Sequence, residues 1–160
     1  MPVATVEIRR GIQMKVKDVM TRNPVCAVPT TSLQSIGKMM VDFDCGAIPV
    51  VKTFESMVPI GIITDRDIVV RTVGAGIDPM YARANETMTP LLVTVTPEMD
   101  LERCVWLMEE KQVRRVPVID ESGRCCGIVA TADVAKYGTR DKAGEMLKKV
   151  SHSSKIYASA

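Results

Sequence analysis

The stretch GIITDRDI, residues 61–68, returns in altered form as GIVATADV at residues 127–134. Each copy is a Gly-led apolar run that ends at a polar cluster holding an Asp. An apolar, β-branched run followed by Thr-x-x-Asp reads as a strand passing directly into a helix. Thr64 is then the cap, and Asp67 reaches back to the cap's backbone. The same residues support a second reading. A helix N-terminus offers unpaired N–H groups and a favourable dipole to an anion. A phosphate would sit against Thr64 and Arg66, and a ribose diol would bond Asp67.

Working outward, a shift of 68 residues, Met20 to Met88, superposes Met20-Thr21 on Met88-Thr89, Val25 on Val93 and Pro29 on Pro97. It also places Leu33 on Leu101, Met40 on Met108, and Pro49-Val50 on Pro117-Val118. Beyond that the shift becomes 66, so that Gly61 falls on Gly127 and Asp67 on Asp133. The difference falls where a hairpin loop is expected, at Asp120-Glu121-Ser122-Gly123 in the second copy, and loops absorb such changes.

Each copy shows the same order of signals. A short opening, VKDVMT or NETMT, precedes a predicted strand, PVCAV or LLVTV. Ser32 or Asp100 caps a predicted helix through LQSIGKMMVDF or LERCVWLMEE, which carry apolar residues at helical spacing. AIPVV with PIGIIT, and VPVI with CGIVA, form predicted hairpins. DRDIVVRTV or ADVAKYG makes the last helix. The fold class is α/β (α+β), with β-α-β-β-α written twice over residues 15–73 and 85–138. A unit of about 60 residues buries too little surface to be comfortable alone, so the two are expected to pack sheet to sheet with pseudo-two-fold symmetry. Residues 74–84, with Gly74, Gly76 and Pro79, read as the linker. Residues 1–14 have no assigned role, although Val3, Thr5, Val6 and Ile8 hint at a strand. The polar tail 139–160 is expected to fray.

Composition excludes several classes. The 160 residues are 46% hydrophobic and 25% charged with a net charge of +2, an ordinary globular balance without the clustered cations that meet nucleic acid or anionic membranes. The apolar runs fall short of the roughly 20 residues that span a bilayer. The first twenty residues hold Glu7, Arg9, Arg10, Lys15, Lys17 and Asp18 and lack a secretory apolar region. Five cysteines without framework spacing suit a reducing compartment, and a cytoplasmic protein is expected. There is no CxxC, and the single histidine, His152, lies in the tail, so no metal site is expected. The cysteines read first as small core hydrophobes and second as redox sensors. The eleven methionines read as core filler.

The tandem VMT openings, the apolar-Pro-Val strand and the Gly-x-x-Thr-x-x-Asp helix start resemble the CBS domain family over residues 15–138. GIITDRDIVVR, MTP and QVRRVPVID are similar to small stand-alone prokaryotic CBS pairs. The resemblance implies a sheet-lined cleft with two related sites for AMP, ADP or ATP, or for S-adenosylmethionine or an NAD-type ligand. Carried over by motif, one site would use Asp67 for ribose, Thr64 and Arg66 for phosphate, and Leu91 to Thr96 beside the base. The other would combine Asp133, Thr131, Arg114 and Arg115 with Asn23, Val28, Cys45 and Gly46. Ala130 stands where the motif carries Ser or Thr, so the Asp67 site is expected to be the tighter. Arg114 and Arg115 read either as solvated surface cations or as a polyphosphate contact.

An enzyme is not expected, since the repeats hold no histidine and no Walker lysine motif. The expectation is a regulatory sensor that signals through an unknown effector chain or its own oligomer. The alternative is a ligand-free structural or protein-interaction module. A homodimer is expected because Ile68, Val69, Val70 and Val73 carry more apolar surface than one core face needs. Trp106, aligned with Lys38, adds to it.

Overall fold

The computed structural model describes residues 14–91 and 93–137. The expectations for the N-terminal segment and the tail fall almost wholly outside them. In chain order the elements are α1 (Val16–Val19), β1 (Thr21–Arg22), α2 (Leu33–Asp42), β2 (Ala47–Val51), β3 (Pro59–Thr64) and α3 (Asp65–Arg71). A 3-10 turn at Val73–Ala75 follows. The second half adds α4 (Ala84–Thr87), β4 (Thr89–Pro90), α5 (Leu101–Glu110), β5 (Arg115–Ile119), β6 (Cys125–Ala130) and α6 (Thr131–Tyr137).

The hairpins β2–β3 and β5–β6 form where expected, each with one register irregularity near its loop. Two sheets result, ordered β1-β6-β5 and β2-β3-β4. Each sheet takes its outer strand from the other half of the chain. Thr21 pairs with Ile128, and Thr89 pairs with Ile62. The helical turns travel with these strands. Val16 and Val19 join the second half's core of Leu101, Cys104, Met108, Val116, Val118, Val129 and Val134. Ala82 and Ala84 join Leu33, Ile36, Ile48, Val50 and Ile63 of the first.

Among the described residues the predicted strands PVCAV and LLVTV do not form. Each contributes one parallel bridge, Ala27 to Val50 and Val95 to Val118. Prolines explain this, because Pro24 opens one segment and Pro29 follows it, Pro90 and Pro97 lie on either side of the other, and proline has no N–H for a ladder. The pairing shrinks to two hydrogen bonds apiece, such as Ala27 N–H to the Pro49 carbonyl at 3.0 Å and Val51 N–H to that of Ala27 at 2.8 Å. The first strand of each repeat is the Met-Thr segment just upstream. Asp100 also departs from expectation, since its carboxylate pairs with Lys15 Nζ at 2.6 Å instead of capping α5. Ser32 does cap α2, accepting from Ser35 N–H.

Arg71 ties the first half to the incoming opening. Its guanidinium donates to the carbonyls of Thr87 at 2.7 Å and Met88 at 2.8 Å, and to Thr89 Oγ1 at 3.0 Å. Val69, Val70 and Val73 stay exposed beyond it, as does Trp106, on whose ring the Arg103 guanidinium lies. Ile68 packs on the core. Among the described residues no helix is long and apolar enough to cross a membrane.

The glycine that opens each motif makes the exchange possible. A Cβ on Gly61 would stand 2.7 Å from Met88 Sδ and 2.9 Å from the Thr89 carbonyl oxygen. At Gly127 the corresponding distances are 2.7 Å to Met20 Sδ and 3.2 Å to the Thr21 carbonyl. A thioether can swing away, whereas a paired backbone carbonyl cannot. Gly61→Ala should therefore destabilise by about 2 to 3 kcal/mol and Gly127→Ala by about 1, the range for overpacking. Urea denaturation measures both, and equal costs would contradict the crowding argument.

Candidate functional site

A cavity of about 370 Å³ lies between the halves. The first half supplies Thr21 through Val25 and Phe43 through Ala47, and the second supplies Arg115, Ile128, Ala130 and Asp133. Two bends shape its rim. Asn23 and Asp44 both have φ of 47°, a left-handed conformation that Asn and Asp adopt more readily than most residues. Asn23 is held there by its N–H to the Cys126 carbonyl at 3.0 Å. After α2 ends, Cys45 N–H returns to the Met40 carbonyl at 3.0 Å, which turns Cys45 and Gly46 into the cavity wall.

Gly46 sets the room available. A Cβ there would meet Asp65 Oδ2 at 3.1 Å and Arg115 Nη2 at 3.5 Å. The same repeat position in the second half is Arg114, which is exposed. The two halves thus place a glycine and an arginine at related points.

Charge on the lining is mixed, with Arg22 and Arg115 against Asp44 and Asp133. Asp133 Oδ2 accepts from Ala130 N–H at 2.9 Å. Its Oδ1 faces only the exposed Lys136, at 3.9 Å, among the described residues. One carboxylate oxygen therefore remains open to a ligand hydroxyl.

Asp67 is engaged at both oxygens. Oδ2 accepts from Thr64 N–H at 2.9 Å and from the Thr64 hydroxyl at 2.7 Å, while Asp67 N–H returns to that hydroxyl at 3.1 Å. Oδ1 accepts from Thr89 Oγ1 at 3.4 Å and lies 3.6 Å from Arg71. This is the reciprocal cap, completed. The Thr64 hydroxyl, which the resemblance aimed at phosphate, is donated to Asp67. Ala130 has no hydroxyl to donate, and this leaves Asp133 less occupied.

Of the residues named from sequence, Asn23, Cys45, Gly46, Arg115 and Asp133 come together on the cavity. Val28, Arg114 and Thr131 are not on its lining. Val28 packs beside Cys26 and Cys125, and Thr131 N–H bonds the Arg114 carbonyl. Arg66 and Thr96 are exposed, and Leu91 N–H bonds the Ile60 carbonyl. Sequence reasoning missed Thr21, Arg22, Phe43 and Asp44. A usable signal existed for Thr21 alone, since Met20-Thr21 and Met88-Thr89 are among the repeat's strict matches.

The family model of the CBS domain matches residues 16–73 and again 84–140. This chain belongs to the CBS domain family. The pair is 38% identical over 138 residues to the CBS domain-containing protein YhcV of Bacillus subtilis, spanning 86% of this chain and 95% of that one. The crystal structure of Hypoxic Response Protein I with two coordinated zinc ions is 34% identical, with a TM-score of 0.68, covering 79% of this chain and all of that one. The hypoxic response protein 1 of Mycobacterium tuberculosis is 36% identical over 121 residues, 76% of this chain and 82% of that one. The structure of CBSX2 in complex with AMP has a TM-score of 0.66 at 24% identity, covering 77% and 94%. That last likeness shows the fold alone.

Within this CBS pair the two motif aspartates differ in structural duty. Asp67→Ala should lower the stability of the ligand-free protein by about 1 to 2 kcal/mol, because a full capping box is lost. Asp133→Ala removes one backbone hydrogen bond and should cost about 0.5 to 1 kcal/mol. Guanidinium unfolding of both variants checks the order, and a larger cost at Asp133 would contradict it.

Proposed function

We propose that this CBS pair is a non-catalytic sensor that holds one adenine nucleotide in the cavity between its halves, at Asp133. The carrying observation is the composition of that cavity. It joins a carboxylate oxygen whose one partner among the described residues, the exposed Lys136 ammonium, stands 3.9 Å away, two guanidiniums and apolar walls in one space of about 370 Å³. Asp133 accepts from the ribose hydroxyls, and Arg22 and Arg115 meet the phosphate, whose geometry suits guanidinium. Pro24, Val25 and Ile128 take the base. CBSX2 carries AMP on the same fold, which supports the reading. AMP or ADP fits this pairing of charges.

Among the described residues the lining holds no histidine to move a proton, and its groups suit binding. Hypoxic Response Protein I carries zinc. Among the described residues of this chain no three His, Cys, Asp or Glu side chains gather to hold a metal. The signal passes through a second copy seated on the exposed Val69, Val70, Val73 and Trp106, or through an effector chain, in the cytoplasm.

Calorimetric titration of AMP, ADP, ATP and S-adenosylmethionine into the wild type and two variants tests the assignment. A hydrogen bond to a charged group contributes about 1.5 to 3 kcal/mol, so Asp133→Ala should weaken AMP binding roughly ten- to a hundredfold. Asp67→Ala should leave the affinity within about twofold, since its loss falls on stability. If Asp67→Ala weakens binding more than Asp133→Ala, the site is on the other side. If the wild type binds none of the four, the ligand-free interaction module is the correct reading.

A further inference from the structure

We propose that Cys26 and Cys125 form a reversible disulfide that staples the two halves of the chain together beside the cavity. The proposal stands independently of the nucleotide reading. The two thiols, from opposite halves, lie close enough that each shifts the other's titration; the Cys26 thiol donates to the Pro24 carbonyl at 3.4 Å and the Cys125 thiol to that of Gly127 at 3.6 Å. With Val51 they make a separate buried cluster, flanked by Val28 and Met57, in which each cysteine is 7% exposed.

The backbone on both sides is fixed. Cys125 N–H donates to the Met57 carbonyl at 2.8 Å, and Val51 N–H donates to that of Ala27, next to Cys26, at 2.8 Å. The remaining cysteines are placed elsewhere. Cys104 lies in the second half's core, where burial pushes its thiol up to about 11, and Cys45 lines the cavity. Cys126 follows Cys125 on β6, so its side chain points to the other face, and its thiol contacts the Val118 carbonyl. One pair is thereby selected from five thiols.

The pair is also polarised. The neighbouring Cys26 thiol lowers the Cys125 thiol, while Cys125 and burial raise that of Cys26, making Cys125 the nucleophile, since the thiolate is the reactive form. A hydroperoxide is the co-reactant, small enough for a site of this exposure. The Cys125 thiolate attacks its terminal oxygen and the O–O bond breaks. The departing oxygen takes a proton and leaves as water when the oxidant is hydrogen peroxide. Cys125 is then a sulfenic acid. Cys26 sulfur attacks that sulfur, its proton passes to the departing hydroxide, and a second water leaves as the S–S bond forms. Two thiols lose two electrons, and the peroxide gains them.

Peroxide treatment of the folded full-length chain, alkylation with iodoacetamide and tryptic digestion without reductant read the outcome. The expected product joins peptide 23–38 to peptide 125–136, two of the five free thiols are lost, and dithiothreitol restores both. Cys126→Ser should retain the bridge, and Cys26→Ser and Cys125→Ser should each abolish it. Fragmentation of the wild-type cross-linked peptide assigns the sulfur without any variant, should a serine variant fold poorly. The proposal is overturned if both peptides emerge fully alkylated, if Cys125 accumulates as sulfinic acid unbridged, or if the bridge runs through Cys126.

Discussion

The crossed pairing of the two openings is the constraint on which the rest of this structure depends. Thr21–Arg22 completes the sheet of β5 and β6, and Thr89–Pro90 completes that of β2 and β3. Neither half holds a finished sheet or core by itself, because Val16 and Val19 belong to one cluster while Ala82 and Ala84 belong to the other. Halves of about 60 residues are marginal alone, and the exchange turns two weak units into one. It also places the cavity, whose walls are the strand that crosses over, the bend after α2 and the end of β6.

Symmetry governs the fold, and departures from symmetry govern the site. Thr64 and Ala130 occupy related positions, yet the threonine hydroxyl locks Asp67 while the alanine leaves Asp133 an open oxygen. Gly46 and Arg114 are similarly related, and the glycine leaves room beside Arg115. A motif closest to its family pattern can therefore be the more structural of two copies. Here the weaker match sits on the cavity.

Much of this was legible in the sequence. The repeat, the two hairpins, the helix starts at Thr64 and Ser32, and the difference in loop length all rest on local rules of periodicity, capping and turn chemistry. Five of the cavity's residues were named from the motif resemblance. What escaped depends on long-range placement. PVCAV has the apolar content of a strand, and only Pro24 and Pro29 argue against one. Arg22 and Asp44 reach the cavity through an exchanged strand and a left-handed bend, neither of which an apolar pattern records. Cys26 and Cys125 lie 99 residues apart, and no spacing rule joins them.

Hydrogen–deuterium exchange of the full chain with and without saturating AMP tests the central claim most directly, since it reports where the ligand sits without altering a residue. Exchange should slow at residues 21–25, 43–47 and 128–133 and stay unchanged across 65–71. Protection confined to 61–67, or no protection at all in the presence of saturating AMP, would contradict the account.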